Sequence, residues 1–87
     1  MESAAALIDA LGGSDNILDV EPCSMRLRIQ VGDQSKVHEA GLRIREVLAV
    51  VRSGDVVQII TGRNTDSLAR DISAIVGEGT RTPLGRR

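Results

Sequence analysis

At 87 residues the chain has room for one small domain and no second. Hydrophobic residues make up 41% and charged residues 26%, enough apolar material for a core, which excludes disorder of the whole chain. Eleven Lys and Arg stand against twelve Asp and Glu, a formal net charge of −1, so a task of binding nucleic acid or anionic lipid by bulk charge is not expected.

Ala4, Leu7, Ile8 and Leu11 recur at i, i+3, i+4, i+7, the stripe of an amphipathic helix, and Gly12-Gly13 stand where a left-handed cap ends it. A short apolar stretch follows from Ile17 to Val20, broken by Pro22 and leading into Cys23. The clearest strand signal comes next: Met25, Leu27, Ile29 and Val31 alternate with Ser24, Arg26, Arg28 and Gln30. Gly32-Asp33 close it, and Ser35 is placed as the N-cap of a second helix with Val37, Ala40, Gly41 and Ile44 on its apolar side. Leu48 to Val51 and Val56 to Thr61 are β-rich runs separated by Arg52-Ser53-Gly54-Asp55, which is hairpin chemistry, and Gly62 ends the second run. Asn64 or Asp66 caps a third helix whose stripe is Leu68, Ile72, Ile75 and Val76.

From Gly77 onward the composition is that of a flexible tail or linker, so the domain is set at 1–78 and the tail at 79–87. The element order implies an α+β fold: a two-layer sandwich in which a four-stranded, mostly antiparallel sheet carries three helices on one face. The opposite sheet face is then solvated and bears Arg26 and Arg28, with Gln58 a further candidate.

The absence of Phe, Tyr and Trp removes any aromatic platform for stacking bases or sugars. No apolar run is long enough to span a membrane and no leader pattern opens the chain, so a cytoplasmic location is expected. A single cysteine and a single histidine, His38, build neither an internal disulfide nor a metal site unaided. His38 falls off the apolar stripe of its helix and reads as a surface residue. Gly12-Gly13 lacks the lysine and hydroxyl of a P-loop, and no nucleotide motif follows a strand. No cofactor is called for.

Cys23 is the candidate for chemistry. It sits at a turn, where a thiol is accessible, followed by Ser24 and by two arginines on one face of the next strand, roughly 7 Å apart by strand rise. Guanidinium groups nearby favour the nucleophilic thiolate and also bind phosphoryl groups bidentately, and the turn's N–H groups offer a small anion nest. Three readings stay open on the residues alone: an inert cysteine beside solvated arginines, a reactive or redox-sensing thiol, and a phosphate site.

Cys23-Ser24-Met25-Arg26-Leu27-Arg28 resembles the C-x-T-R-L-R signature of the enzyme IIB domain of the bacterial sugar phosphotransferase system, glucose and N-acetylglucosamine branch. Gly12-Gly13-Ser14-Asp15-Asn16-Ile17 resembles the G-G-x-x-N-I that precedes the cysteine in that family, at the same distance. Val31 to Val37, Ala40-Gly41-Leu42 and Val57-Gln58-Ile59-Ile60-Thr61-Gly62 also fall in step, so the similarity runs from about Ala5 to Val76 without a gap.

The resemblance implies a small α+β domain whose cysteine, here Cys23, takes a phosphoryl group from a phosphohistidine of enzyme IIA. The group then passes to a sugar brought through the membrane by the permease enzyme IIC. Arg26, Arg28 and Ser24 would hold the phosphoryl group. Enzyme IIA and enzyme IIC are the implied partners, and the implied place of work is the inner face of the membrane. Met25 stands where the family has threonine, Glu46 to Val50 lack the family's glycines, and Val56 replaces another. These departures leave a second reading, a divergent IIB-like regulatory or interaction module with weak or lost transfer.

Overall fold

A computed structural model describes residues 2–80. Four strands, β1 (Ile17–Cys23), β2 (Arg26–Val31), β3 (Ala49–Ser53) and β4 (Val56–Ile60), form one sheet in the order β1-β2-β4-β3. Every neighbouring pair is antiparallel. Helices α1 (Glu2–Ala10), α2 (Glu39–Leu42) and α3 (Thr65–Thr80) complete the α+β sandwich expected from the element order.

The alternation in β2 fixes which face is covered. Leu27, Ile29 and Val31 are buried while Arg26, Arg28 and Gln30 are exposed. Val57 and Ile59 of the neighbouring β4 join them in a core with Ala4, Leu7 and Ile8 of α1 and Leu68 and Ile72 of α3. A slip of one residue in β2 would drive both arginines into this core, so the register is strongly specified. Pro22 lies on β1, an edge strand, where a missing N–H costs least. The β3–β4 hairpin closes through Gly54-Asp55, with Gly54 at φ 58 in the first loop position.

The Gly-Gly and Asn motif has a physical basis in the structure. Gly13 N–H donates to Ile8 O at 2.9 Å and Gly12 N–H to Asp9 O at 3.1 Å, the paired bonds of a Schellman ending. Buried Asn16 then ties this helix end to the far end of β2. Its Nδ2 donates to Leu11 O at 2.7 Å and Asp33 O at 3.0 Å, and its Oδ1 accepts Asp33 N–H at 2.9 Å. Gly12, at φ 103, leaves room for that amide: a Cβ there would stand 2.7 Å from Asn16 Nδ2.

The second helix departs from expectation. Instead of one helix from Ser35 across Ile44, a 3-10 turn at Gln34–Lys36 precedes the single turn of α2. Asp33, not Ser35, is the cap: its carboxylate accepts both the N–H and the hydroxyl of Ser35. Ala40 is exposed, and Leu42, outside the expected stripe, is fully buried. Gly41 backs onto α1, where a Cβ would meet Ala10 Cβ at 2.9 Å. The glycine-free Glu46 to Val50 segment does not extend the helix. A turn closed by Val47 N–H to Ile44 O leads into β3, and Glu46 is held by the Ser3 hydroxyl. Arg52 braces this region from β3, donating to Gln34 O at 2.9 Å and to Gln34 Oε1 at 3.0 Å.

The third helix carries its stripe as expected, with Leu68 and Ile72 buried and Ile75 and Val76 half-buried. Its backbone continues past Gly77 to Thr80, further than composition implied. The remainder of the expected tail, 81–87, lies outside the described residues.

Two outcomes follow for stability. Asn16→Ala takes its side-chain partner from the buried Leu11 carbonyl and from the part-buried Asp33 N–H and should cost about 2–3 kcal/mol in chemical denaturation. The Ser35 hydroxyl, followed by the Ser35 N–H, holds the Asp33 carboxyl below its ordinary pKa. Stability from this cap is therefore complete above the ordinary aspartate value and fades as the pH falls through the lowered, folded-state one. Asp33→Asn should flatten that acid-side loss in a pH series of melting temperatures.

Candidate active site around Cys23

Cys23 ends β1 and is the direct cross-strand partner of Arg26 on β2. Facing residues of an antiparallel pair share a side of the sheet, so the thiol and this guanidinium occupy the open face, away from the helices. Cys23 is exposed. Glu21 faces Arg28 and Asp19 faces Gln30 on the same side, while Gln58 of β4 flanks Arg28 from the other strand.

The two arginines differ in their surroundings. Arg26 Nη1 donates to Gln58 Oε1 at 2.8 Å, so its head is anchored toward β4. Arg28 lines a polar depression with Asp19, Glu21, Gln30 and Asp55, one register further from the thiol. The face thus grades from acidic residues at Asp19 and Glu21 to arginine and sulfur at the end where Cys23 sits. Beyond the thiol the rim turns apolar: Met25 is 61% and Leu48 69% exposed, beside half-buried Ile60.

The connection between β1 and β2 is a two-residue hairpin, Ser24-Met25, with both residues at positive φ (37 and 67). Left-handed geometry at both loop positions is normal for such hairpins and ordinarily recruits Asn-Gly. Here neither residue is glycine, and the conformation carries strain. It is held from outside, because Met25 O accepts both Thr61 N–H and Gly62 N–H at 3.0 Å. Neither the Ser24 nor the Met25 N–H is engaged by another backbone group among the described residues. Two free donors therefore stand directly after the thiol.

Of the residues singled out in the sequence, Cys23, Ser24 and Arg26 come together at this corner, and Arg28 lies on the same face at a greater remove. The anchoring of Arg26 by Gln58 and the clamp at Thr61 and Gly62 were not read from the sequence as parts of a site. For Gln58 the signals were its candidate place on the solvated face and the V-Q-x-I-x-G similarity; for Thr61 and Gly62 there was that similarity alone. His38 is exposed, as expected, and takes no part. A larger open groove, about 820 Å³, runs between Pro22 and α3. It lies off the open sheet face and holds none of the candidate residues. Among the described residues no cluster of His, Cys, Asp or Glu could hold a metal ion, and no helix is long and apolar enough to cross a membrane.

Comparison with known proteins bears on this corner directly. The family model for the phosphotransferase system, EIIB, matches residues 5–37, a span that includes the Gly-Gly and Asn motif, Cys23, Arg26 and Arg28. The N-acetylglucosamine-specific EIIB component of Streptomyces coelicolor is 38% identical over 69 residues, which is 79% of this chain and 90% of that protein. The chain belongs to the EIIB family of the phosphotransferase system. A crystal structure of one domain of a PTS IIabc component from Clostridium difficile superposes with a TM-score of 0.70 at 28% identity, over 99% of this chain and 87% of that one.

The strained hairpin of this EIIB protein gives a direct prediction. Met25→Gly removes the penalty for a left-handed side chain and should raise stability by up to about 1 kcal/mol, read by thermal denaturation. Arg26→Ala, on the open face, should stay within about 0.5 kcal/mol of the parent.

Proposed function

We propose that this EIIB protein is a cysteine phosphotransferase in sugar uptake, with Cys23 as the residue that carries the phosphoryl group. The observation that carries the reading is the pairing of an exposed thiol with Arg26 on the open face of the sheet. In the first transfer the Cys23 thiolate attacks phosphorus in a phosphohistidine of enzyme IIA. The S–P bond forms as the P–N bond breaks, and the electron pair returns to the imidazole. In the second, a hydroxyl of the sugar held by enzyme IIC attacks phosphorus, the S–P bond breaks, and sulfur leaves as thiolate. The hydroxyl proton goes to solvent or to a base on the permease.

Such transfers need in-line positioning and neutralisation of the phosphoryl oxygens rather than covalent help. Arg26 supplies charge, and the Ser24 and Met25 N–H groups, with the Ser24 hydroxyl, supply donors close to sulfur. Arg28 reaches in from the next register. Gln58 holds Arg26 in readiness, and its bond is exchanged for one to phosphate as the group arrives. The apolar rim of Met25, Leu48 and Ile60 suits brief contact with enzyme IIA and then with enzyme IIC, docking small enough to release. The work would take place in the cytoplasm at the inner face of the membrane. N-acetylglucosamine is the sugar named for the Streptomyces relative. A sugar of that class is proposed here, its choice resting with the permease.

A second reading, a IIB-like module with weakened transfer, is favoured by Met25, which puts a thioether where the family signature has a hydroxyl.

Incubation with phosphoenolpyruvate, enzyme I, HPr and a matching enzyme IIA tests both. One phosphoryl group should appear on Cys23 by mass spectrometry, and Cys23→Ser should take up none while keeping its fold. Arg26→Ala and Arg28→Ala should slow transfer at nearly unchanged stability. A wild-type chain that binds enzyme IIA without gaining phosphate favours the module, and phosphate on any other residue contradicts both assignments.

A further inference from the structure

We propose that Thr65 is a positioning residue for the Cys23 thiol, acting through a hydrogen-bond relay that ends on the Ser24–Met25 hairpin. Its catalytic consequence rests on the phosphotransfer reading above, whereas the relay itself rests on geometry.

Thr61 and Thr65 are buried hydroxyl residues, 3% and 4% exposed, below the end of β4. Thr65 Oγ1 donates to Gly62 O at 2.8 Å, and the two threonine hydroxyls lie 2.8 Å apart. A hydroxyl has one proton to give. Since Thr65 spends its proton on Gly62 O, Thr61 must donate to Thr65, and the chain runs Thr61 to Thr65 to Gly62. Bonds in such a series polarise and strengthen one another.

The two residues at the ends of this chain, Thr61 and Gly62, are the ones whose N–H groups grip the hairpin. Thr61 N–H and Gly62 N–H both point at Met25 O, each at 3.0 Å. Gly62 sits at φ 64, a conformation that a glycine takes freely and that turns its N–H and C=O to these two duties. Released from Met25 O, the hairpin would relax out of its left-handed geometry, since neither Ser24 nor Met25 favours it. The thiol and the two free N–H groups would then lose their fixed relation to Arg26. A hydroxyl that served only the start of α3 would contribute to stability and leave transfer untouched.

The test uses the full chain with Thr65→Val, which keeps shape and drops the hydroxyl, and Thr65→Ser, which keeps the hydroxyl. Should Thr65→Val fold poorly, the double variant Thr61→Val/Thr65→Val removes both hydroxyls together, a gentler change than orphaning one. Amide hydrogen exchange at Thr61 and Gly62 reads the clamp, and kinetics with phosphorylated enzyme IIA read its consequence. Thr65→Val should speed exchange at those two amides about tenfold and lower kcat about tenfold, with KM unchanged because the docking rim is intact. Thr65→Ser should restore both.

A folded Thr65→Val protein with native exchange at Thr61 and Gly62, or with native kcat, overturns the proposal, as does Thr65→Ser behaving like Thr65→Val. If the wild-type chain accepts no phosphoryl group, the phosphotransfer reading and the catalytic role of Thr65 fall together, while faster exchange in Thr65→Val would still establish the relay.

Discussion

Antiparallel pairing between β1 and β2, in the register that sets Cys23 against Arg26, governs the rest of the molecule. The same register sends Leu27, Ile29 and Val31 into the core and leaves the arginines in water. Core packing and site geometry are therefore one constraint rather than two. Any change that shifted the thiol relative to the guanidinium would also misplace three fully or almost fully buried side chains, and packing resists that strongly. A small domain can in this way keep an exposed thiol aligned with a guanidinium group.

The hairpin that joins those strands stores strain directly beside Cys23. Two non-glycine residues in left-handed geometry are uncommon, and such outliers persist only where the surroundings over-determine them. The surroundings here are the β4 end, which meets Met25 O with two N–H groups. The result is a turn whose own N–H groups are engaged by no other backbone group among the described residues. The open face around it is graded in charge, with Arg26 at the Cys23 end and the carboxylates of Glu21 and Asp19 further along.

Much of this was legible in the sequence. Period-2 alternation identified β2 and its solvated face over Arg26 to Val31, but it also put Ser24 and Met25 in the strand, whereas they form the turn and Met25 is exposed. Gly54 marked the second hairpin, and the Leu7, Ile8 and Leu11 stripe marked α1. The candidate cysteine and the two arginines followed from the same stretch and from family resemblance. What stayed hidden depends on contacts between distant segments. The helical spacing from Ser35 to Ile44 gave way because Asp33 caps a shorter turn and Gly41 must lie against Ala10. The structural duty of Asn16 was invisible because its partners lie at Leu11 and Asp33, on two different elements. Ser24-Met25 carries no turn signal of its own, since its conformation is imposed from Thr61 and Gly62. The departures from the family pattern proved local: the glycine-free Glu46 to Val50 segment forms a turn closed by Val47 N–H and leaves the sheet intact.

The most direct measurement is a map of backbone NMR shifts between the unmodified protein and the protein phosphorylated through enzyme IIA. With phosphorus on sulfur at the β1–β2 corner, the account predicts large changes at Ser24, Met25 and Arg26 and at the side-chain amide of Gln58 as it loses its guanidinium partner. The α1 and α3 core should stay still. Perturbation centred on the helical layer, or a silent Cys23 corner in a protein that has taken up phosphate, would contradict it.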